Sequence, residues 1–301
     1  MIGKKRTFLY SLLFMAPAII LVLLINIIPI IQNFYFSFFS WDILDPNMTF
    51  VGLDNYANFF QTEGAAVALK NTIIYAILAA IFKNAAGLLF ALLLNMGLKT
   101  QNVLRTCILS TTMISLVISG FTWSYLYHPQ YGIGYFAEKY LGLSFLNQDW
   151  LGNPKLALYA ILVVSIWQIA GKYMVIYLAG LQSVPKDLYE ASDIDGAGGW
   201  TKFKSITVPL IIPSITVGVL NALIQGFKVF DEIYSMTKGG PGFATETLTT
   251  LMYSQTFTYS GKAGYGSSIS GILFVIVLVS SLIVSGFLRK SEDAVYGEWR
   301  G

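Results

Sequence analysis

The sequence predicts an all-α integral membrane protein with six transmembrane helices and both termini in the cytoplasm. Composition, the spacing of apolar runs and the placement of basic residues carry that expectation. Of 301 residues, 55% are hydrophobic and only 12% charged, with a mean hydropathy of +0.63. A soluble domain carries about 25% charged residues because a water-facing surface needs them. Half that share means that much of the surface faces lipid, so soluble and disordered classes are excluded.

A hydrocarbon core about 30 Å thick takes about 20 apolar residues to cross as a helix. Six stretches qualify, at 8–32, 71–96, 103–127, 155–181, 208–234 and 267–288. They read as a single transmembrane domain over 1–301, with a cytoplasmic connection at 182–207. The first follows Lys4, Lys5 and Arg6, as a secretory signal would. Its apolar run is longer than the about 7–15 residues of a signal, and no small-residue cleavage site follows, so it reads as a span. Helices are required because lipid offers the backbone no hydrogen-bond partner, and runs such as Gly271–Leu282 contradict alternating barrel strands. Pro17, Pro29, Pro209 and Pro213 are read near span ends, where a missing amide is tolerated.

Orientation follows from Lys and Arg in the loops. With the N-terminus inside, Lys4, Lys5, Arg6, Lys99, Arg105, Lys186, Lys202, Lys204, Arg289, Lys290 and Arg300 lie on the cytoplasmic side. Lys70, Lys139, Lys155, Lys238 and Lys262 lie outside. Eleven against five places both termini in the cytoplasm. Trp41, Tyr56, Phe59, Phe60, Tyr127 and Trp150 supply outer interfacial aromatics. The formal charge is +3, with no basic patch interleaved with aromatics, which argues against nucleic acid. The single cysteine, Cys107, can form no intrachain disulfide and reads as a small buried apolar residue. The single histidine, His128, reads as an interface residue, and one His with one Cys makes a Cys/His metal cluster implausible.

The connection between spans four and five does not belong to a simple bundle. Ser183 is a candidate N-cap, with Pro185 and Asp187 suited to a first helical turn. Leu188, Ala191 and Ser192 share one face of a short helix that Ile194 and Asp195 continue. Gly196, Gly198 and Gly199 permit a sharp change of direction. Trp200, Phe203 and Ile206 recur at helical spacing and are expected to seat a second short helix on the bundle. From these residues alone, a tight interfacial loop and a docking element are equal readings.

The order of residues here resembles the permease subunits of ABC importers. Their cytoplasmic signature reads Glu-Ala-Ala, a Gly four residues later, then Ile-x-Leu-Pro. This chain has Glu190, Ala191 and Ser192, then Gly196, then Ile206, Thr207, Val208 and Pro209. Ser192 and Val208 depart from the pattern without adding enough bulk to spoil a close helix contact. Leu188, Tyr189, Glu190 and Ala191, followed by Asp195, Gly196 and Ala197, look like the carbohydrate branch. Phe50 to Tyr56, Gly180 to Pro185, and Thr237 to Pro241 followed by Thr245 extend the likeness, in the manner of the maltose-type "first" permease.

The resemblance implies a type I ABC importer permease fold, with the Glu-Ala-Ala loop docking on a separate ATPase. It also implies a second homologous permease, an extracytoplasmic solute-binding protein, and alternation between inward- and outward-facing states. The chain itself shows no Gly-x-x-x-x-Gly-Lys-Ser/Thr loop. ATP and magnesium are therefore expected on the partner ATPase, with no cofactor and no catalytic site in this chain.

Ionisable groups inside spans are costly and face a cavity or one another. Lys83, Lys172 and Lys228 occur at such depths, with Asp231 and Glu232 on span five. Lys228 and Asp231 are three apart and share a helical face if that helix is continuous, which makes a self-neutralising pair the first expectation. The resemblance places sugar-contacting positions on Ala222, Gln225, Gly226 and Val229 of span five, and on Ile169 and Lys172 of span four. Trp167, Gln168 and Tyr173 lie close by. Gln225 and Trp167 suit a sugar chemically, and Lys172 suits an anionic or phosphorylated solute. Ala222, Gly226 and Val229, where the family often has an aromatic or Asn, suit equally a smooth passage that leaves selection to the binding protein. The competing classes are an ABC permease for a polyamine, phosphate or glycerol phosphate, an ion-coupled secondary transporter and a non-transporting scaffold.

Overall fold

The computed structural model describes residues 4–43, 47–97, 99–258 and 262–300; within it, the side chains of 4–12, 291 and 294–300 lie outside the description. In chain order the helices are α1 (Lys4–Val22), α2 (Ile28–Phe36), α3 (Asp54–Phe59), α4 (Ala65–Leu94), α5 (Gln101–Ser110), α6 (Leu116–Leu126), α7 (Ile133–Leu141) and α8 (Ala157–Ser183). They continue as α9 (Lys186–Ile194), α10 (Gly199–Lys202), α11 (Val208–Leu210), α12 (Ile212–Phe227), α13 (Asp231–Met236), α14 (Leu248–Tyr253) and α15 (Ala263–Arg300). Two short strands, β1 (Phe39–Ser40) and β2 (Thr49–Phe50), pair antiparallel.

Four stretches are long and apolar enough to cross a membrane without interruption: Leu13–Phe36, Ala65–Leu94, Ala157–Ser183 and Ala263–Lys290. Two further ones are bent pairs, 97° between Gln101–Met113 and Leu116–Leu126, and 70° between Gly199–Leu210 and Ile212–Phe227. The expected third span is thus broken, because Ile114 and Ser115 adopt extended backbone (ψ 136° and 137°) between its halves. The expected fifth span stops at Phe227; Lys228 to Phe230 leave the helix before α13 starts.

Pro213 stands in the first turn of α12, where its missing amide is tolerated, while Pro17, Pro29 and Pro209 are more internal than expected. Pro17 lies inside α1. Pro29 follows a π-helical turn, Leu23–Ile27, and Pro209 follows another, Phe203–Thr207. A proline removes one amide and its ring crowds the carbonyl four residues back; the wider π turn at that point takes up the mismatch. Cys107, expected to be buried, is exposed, because α5 buries none of its residues.

The chain divides into two compact units, one of residues 1–62 with 251–274, the other of 63–250 with 275–301. In the first, Asn55 fastens the strand pair by donating to the carbonyls of Ser37 (2.8 Å) and Phe39 (2.9 Å). Ser268 reaches the Asn55 carbonyl (3.3 Å), and Tyr265 donates to Thr62 (2.6 Å). This unit holds a wide polar cavity of about 870 Å³ rich in amide side chains.

In the second unit α4 packs along α8 and α12. The contact is made possible by small residues. Ala68, Ala76 and Ala79 of α4 are fully buried. A Cβ on Gly87 would run into the Tyr173 backbone, and one on Gly226 would lie 2.7 Å from the Ala76 Cα. Such backbone approach gains dispersion contacts where lipid removes the hydrophobic drive for helix association. Tyr75, Ala79, Leu158, Ile161, Leu162, Val229 and Ile233 form the apolar cluster. Opposite faces remain apolar and exposed, for example Ile77, Ile81 and Leu89 on α4 and Val163 on α8.

Candidate functional site

Two features of the second unit stand out, a charged cavity between helices and an exposed helical connection. The cavity, about 300 Å³, opens where α12 breaks. Its wall takes Lys83 from α4, Gln168, Lys172 and Tyr173 from α8, Gln225 from α12, and Lys228 to Glu232 from the break and α13. Thr112, Ile114 and Leu116, at the break of the bent pair, complete it. The irregular backbone at Ile114 and at Lys228 to Phe230 therefore lies where it borders a cavity, as membrane depth demands.

The polar groups of this wall are unequally satisfied. Glu232 is buried, and its carboxylate accepts from the Ser165 hydroxyl (2.8 Å). Lys172 donates to Asn221 Oδ1 (3.0 Å), which also receives the Tyr173 hydroxyl (3.4 Å). Gln168 Nε2 donates to the Ile114 carbonyl (2.7 Å) and so braces the broken helix pair.

Of the sequence-predicted pathway residues, Gln168, Lys172, Tyr173, Gln225 and Val229 line this cavity, as does Ile169. Ala222 and Gly226 do not. Both are buried, and Gly226 meets Ala76, so its smallness serves helix packing. Trp167 is also absent from the wall and stacks edge-on to Trp123, ring centroids 5.3 Å apart. The Lys228–Asp231 pair does not form, since the helix ends between them and no ion pair joins them among the described residues. Sequence reasoning missed Ser165 and Asn221. Asn221 lies four residues before Gln225, a polar residue in an apolar run, and that spacing was the available signal.

The connection begins differently from expectation. Ser183 closes α8, its hydroxyl bonded back to the Gly180 carbonyl (2.7 Å); Pro185 is the N-cap of α9, with Asp187 in the first turn. None of the nine residues of α9 is buried. Its C-terminus is a Schellman turn. Gly196 takes φ +73°, its amide donates to Asp193 (3.1 Å), and that of Ala197 donates to Ser192 (2.9 Å). Only Gly196 of the three glycines needs a left-handed backbone; Gly198 is extended and Gly199 begins α10.

Along this connection Glu190, Ala191, Asp195 and Gly196 are exposed, and Leu188, Tyr189, Ser192 and Ala197 half-buried. The Tyr189 hydroxyl meets Thr207 Oγ1 (2.9 Å), and Lys202 pairs with Asp193. Trp200 does not seat α10 on the bundle as expected. It is 75% exposed, stacks on Phe203, and leaves an apolar surface with Ile194 at 88%.

The Gly-Gly-Pro segment is a clamped loop. Asn71 donates to the carbonyls of Phe243, Ala244 and Glu246. The buried Glu246 carboxylate occupies the space a Cβ on Gly239 would need. Burial pushes that carboxyl above the ordinary glutamate range, while the Thr250 hydroxyl beside it acts the other way.

Residues 83–291 match the model of the family described as "Binding-protein-dependent transport system inner membrane component". The chain belongs to this family. It is 33% identical to the probable ABC transporter permease protein YurN of Bacillus subtilis, over 97% of this chain and 100% of that protein. It is 35% identical to the trehalose/maltose transport system permease protein MalF of Thermococcus litoralis, over 96% and 97%. Among solved structures it superposes with a TM-score of 0.80 and 25% identity on a chain of a bacterial ABC transporter involved in the import of the acidic polysaccharide alginate, covering 95% of this chain and 96% of that one. The bent spans and irregular helix breaks thus belong to an ABC importer permease fold, in a multi-pass membrane protein.

Proposed function

We propose that this chain is the permease subunit of an ATP-driven importer that carries a sugar or oligosaccharide across the cytoplasmic membrane by alternating access. The observation that carries the reading is α9, a charged helix with no fully buried residue and with Glu190 on its surface, closed by the Gly196 turn. A helix with no fully buried residue, which leaves Glu190 and Ile194 exposed and is followed by the exposed Trp200, suits docking on a second protein. Leu188 to Ser192 and Asp195 to Ala197 form that docking element, and a separate ATPase subunit, holding ATP and magnesium, is its partner. Both termini are cytoplasmic, on the same side as α9, and a second permease and an extracytoplasmic binding protein complete the assembly.

The movement required is a two-state one. Closure of the ATPases shifts α9, and the bent helix pairs transmit that shift to the cavity, biasing an equilibrium between its inward- and outward-open forms. The transport of trehalose and maltose by one relative and the import of alginate by another support a carbohydrate as the solute. Purification of the chain from its native membrane, followed by reconstitution into liposomes with radiolabelled maltose or alginate oligosaccharide, tests this. An ATPase and a second permease are expected to co-purify, and uptake to require ATP. Uptake driven by an ion gradient without ATP contradicts the assignment.

A further inference from the structure

Among the described residues, the Lys83 ammonium, 6.0 Å from the Tyr75 ring centroid, and Gln168 Oε1 make no hydrogen bond, and together these two polar groups of the second unit's cavity describe a ligand. Lys83 is only 3% exposed and lines the cavity. Among the described residues its ammonium makes no hydrogen bond and no ion pair. Glu232, of opposite charge, and Lys172, of like charge, line the same cavity. Glu232 accepts from the neutral Ser165 hydroxyl and is not in ion-pair contact with Lys83 among the described residues. The wall as a whole carries Lys83, Lys172 and Lys228 against Asp231 and Glu232, three cations to two anions. A buried ammonium with no hydrogen bond or ion pair, in a wall that carries one more cation than anion, is costly at membrane depth and marks a site for an anion.

The second group is Gln168. It is 1% exposed, its Nε2 is committed to the Ile114 carbonyl, and its Oε1 is a buried acceptor with no donor among the described residues. An unpaired acceptor asks for a ligand hydroxyl or amide. A simple inorganic anion meets Lys83 but brings little to donate, while a neutral sugar meets Gln168 but leaves Lys83 unpaired. A polyhydroxylated anion satisfies both.

We infer that the cavity lined by Lys83, Lys172 and Gln168 recognises an anionic saccharide, its carboxylate, sulfonate or phosphate ester paired with Lys83 and Lys172 and a sugar hydroxyl donated to Gln168. This rests on the proposed reading of the chain as a carbohydrate permease and names the class of its solute. About 300 Å³ accommodates one or two sugar rings at a time, within the usual size of ligand sites. Lys83 discriminates through desolvation: a neutral analogue that fills the cavity leaves a buried charge unmatched, and penalties of that kind separate ligands more sharply than apolar contacts do.

The test is direct binding to the full-length chain, in the complex it forms, held in lipid nanodiscs without a binding protein. The probes are digalacturonate, the matched neutral disaccharide galactobiose, galactose 1-phosphate and inorganic phosphate. Digalacturonate and galactose 1-phosphate are compared to tell a carboxylate from a phosphate ester. One of the two is expected to bind at least about tenfold more tightly than galactobiose, with inorganic phosphate weaker than either. Lys83→Met removes that preference, whereas Lys83→Arg retains it, which separates charge recognition from damage to the fold. Equal affinities for acidic and neutral disaccharides, or a preference that survives Lys83→Met, overturn the inference while leaving a carbohydrate permease intact. Tight, Lys83-dependent binding of phosphate with no binding of any saccharide overturns both. Absence of binding by all four probes overturns the inference as well.

Discussion

The seam between α4, α8 and α12 and the connection through α9 and α10 are built on opposite principles. The seam is a contact of small residues. Ala76 and Ala79 are fully buried, and Gly87 and Gly226 admit backbone where a side chain would not fit. The connection buries none of α9 and is held by a Schellman turn, one hydroxyl pair and one ion pair. Burial density sets what a substitution costs. The seam is therefore where the chain holds its shape, and the connection is where it offers a surface at little cost to its own stability.

The largest effect that sharpens this contrast is Gly87→Leu. The new side chain meets the Tyr173 backbone, which cannot move without unpacking α8. A loss of about 3 kcal/mol or more is expected, read as a fall in folded yield and in melting temperature in detergent. A variant as stable as wild type would show that the seam is loose. Next comes Asn71→Ala, which frees the Gly-Gly-Pro loop from its three carbonyl contacts. Stability should fall by about 2–3 kcal/mol, and limited proteolysis should cut first between residues 239 and 247; unchanged proteolysis would count against the clamp.

Glu246 gives a pH signature in the same loop. Its folded-state pKa is raised by burial, so the folded chain favours the protonated form. Its contribution is fully present below the unfolded carboxyl value of about 4.3 and is lost as pH rises through the folded value. Glu246→Gln is expected to flatten the decline in melting temperature above that pH, and parallel profiles for the two proteins would refute the assignment. The smallest effect belongs to the connection. Lys202→Met removes an ion pair whose Asp193 side chain is 66% exposed, and should change stability by at most about 1 kcal/mol. A larger loss would mean that the connection is part of the core after all.

The same contrast explains what the sequence revealed. Stretches 71–96 and 155–181 fall close to α4 and α8 because an unbroken apolar run has only one way to cross lipid. Ile114, Ser115 and Ile211 break or bend helices with little change in hydropathy, so the bent pairs were invisible to a count of apolar residues. Gln168 and Lys172 share a face at four-residue spacing and could be read together. Their juxtaposition with Lys83 and Glu232 depends on how α4 and α13 pack against α8, which spacing along the chain does not encode. Ala222 and Gly226 misled for a physical reason, since a small residue aligned with a sugar-contacting position is equally a helix-packing residue.

Solute-stimulated ATP hydrolysis by the complex in nanodiscs, with Glu190→Lys beside the wild type, tests the central claim most directly. The exposed Glu190 makes no contribution to the seam, so the variant should match the wild type in folded yield and melting temperature while losing stimulation or releasing the ATPase. A Glu190→Lys complex that stays assembled and remains fully stimulated would contradict the account of α9 as the docking element.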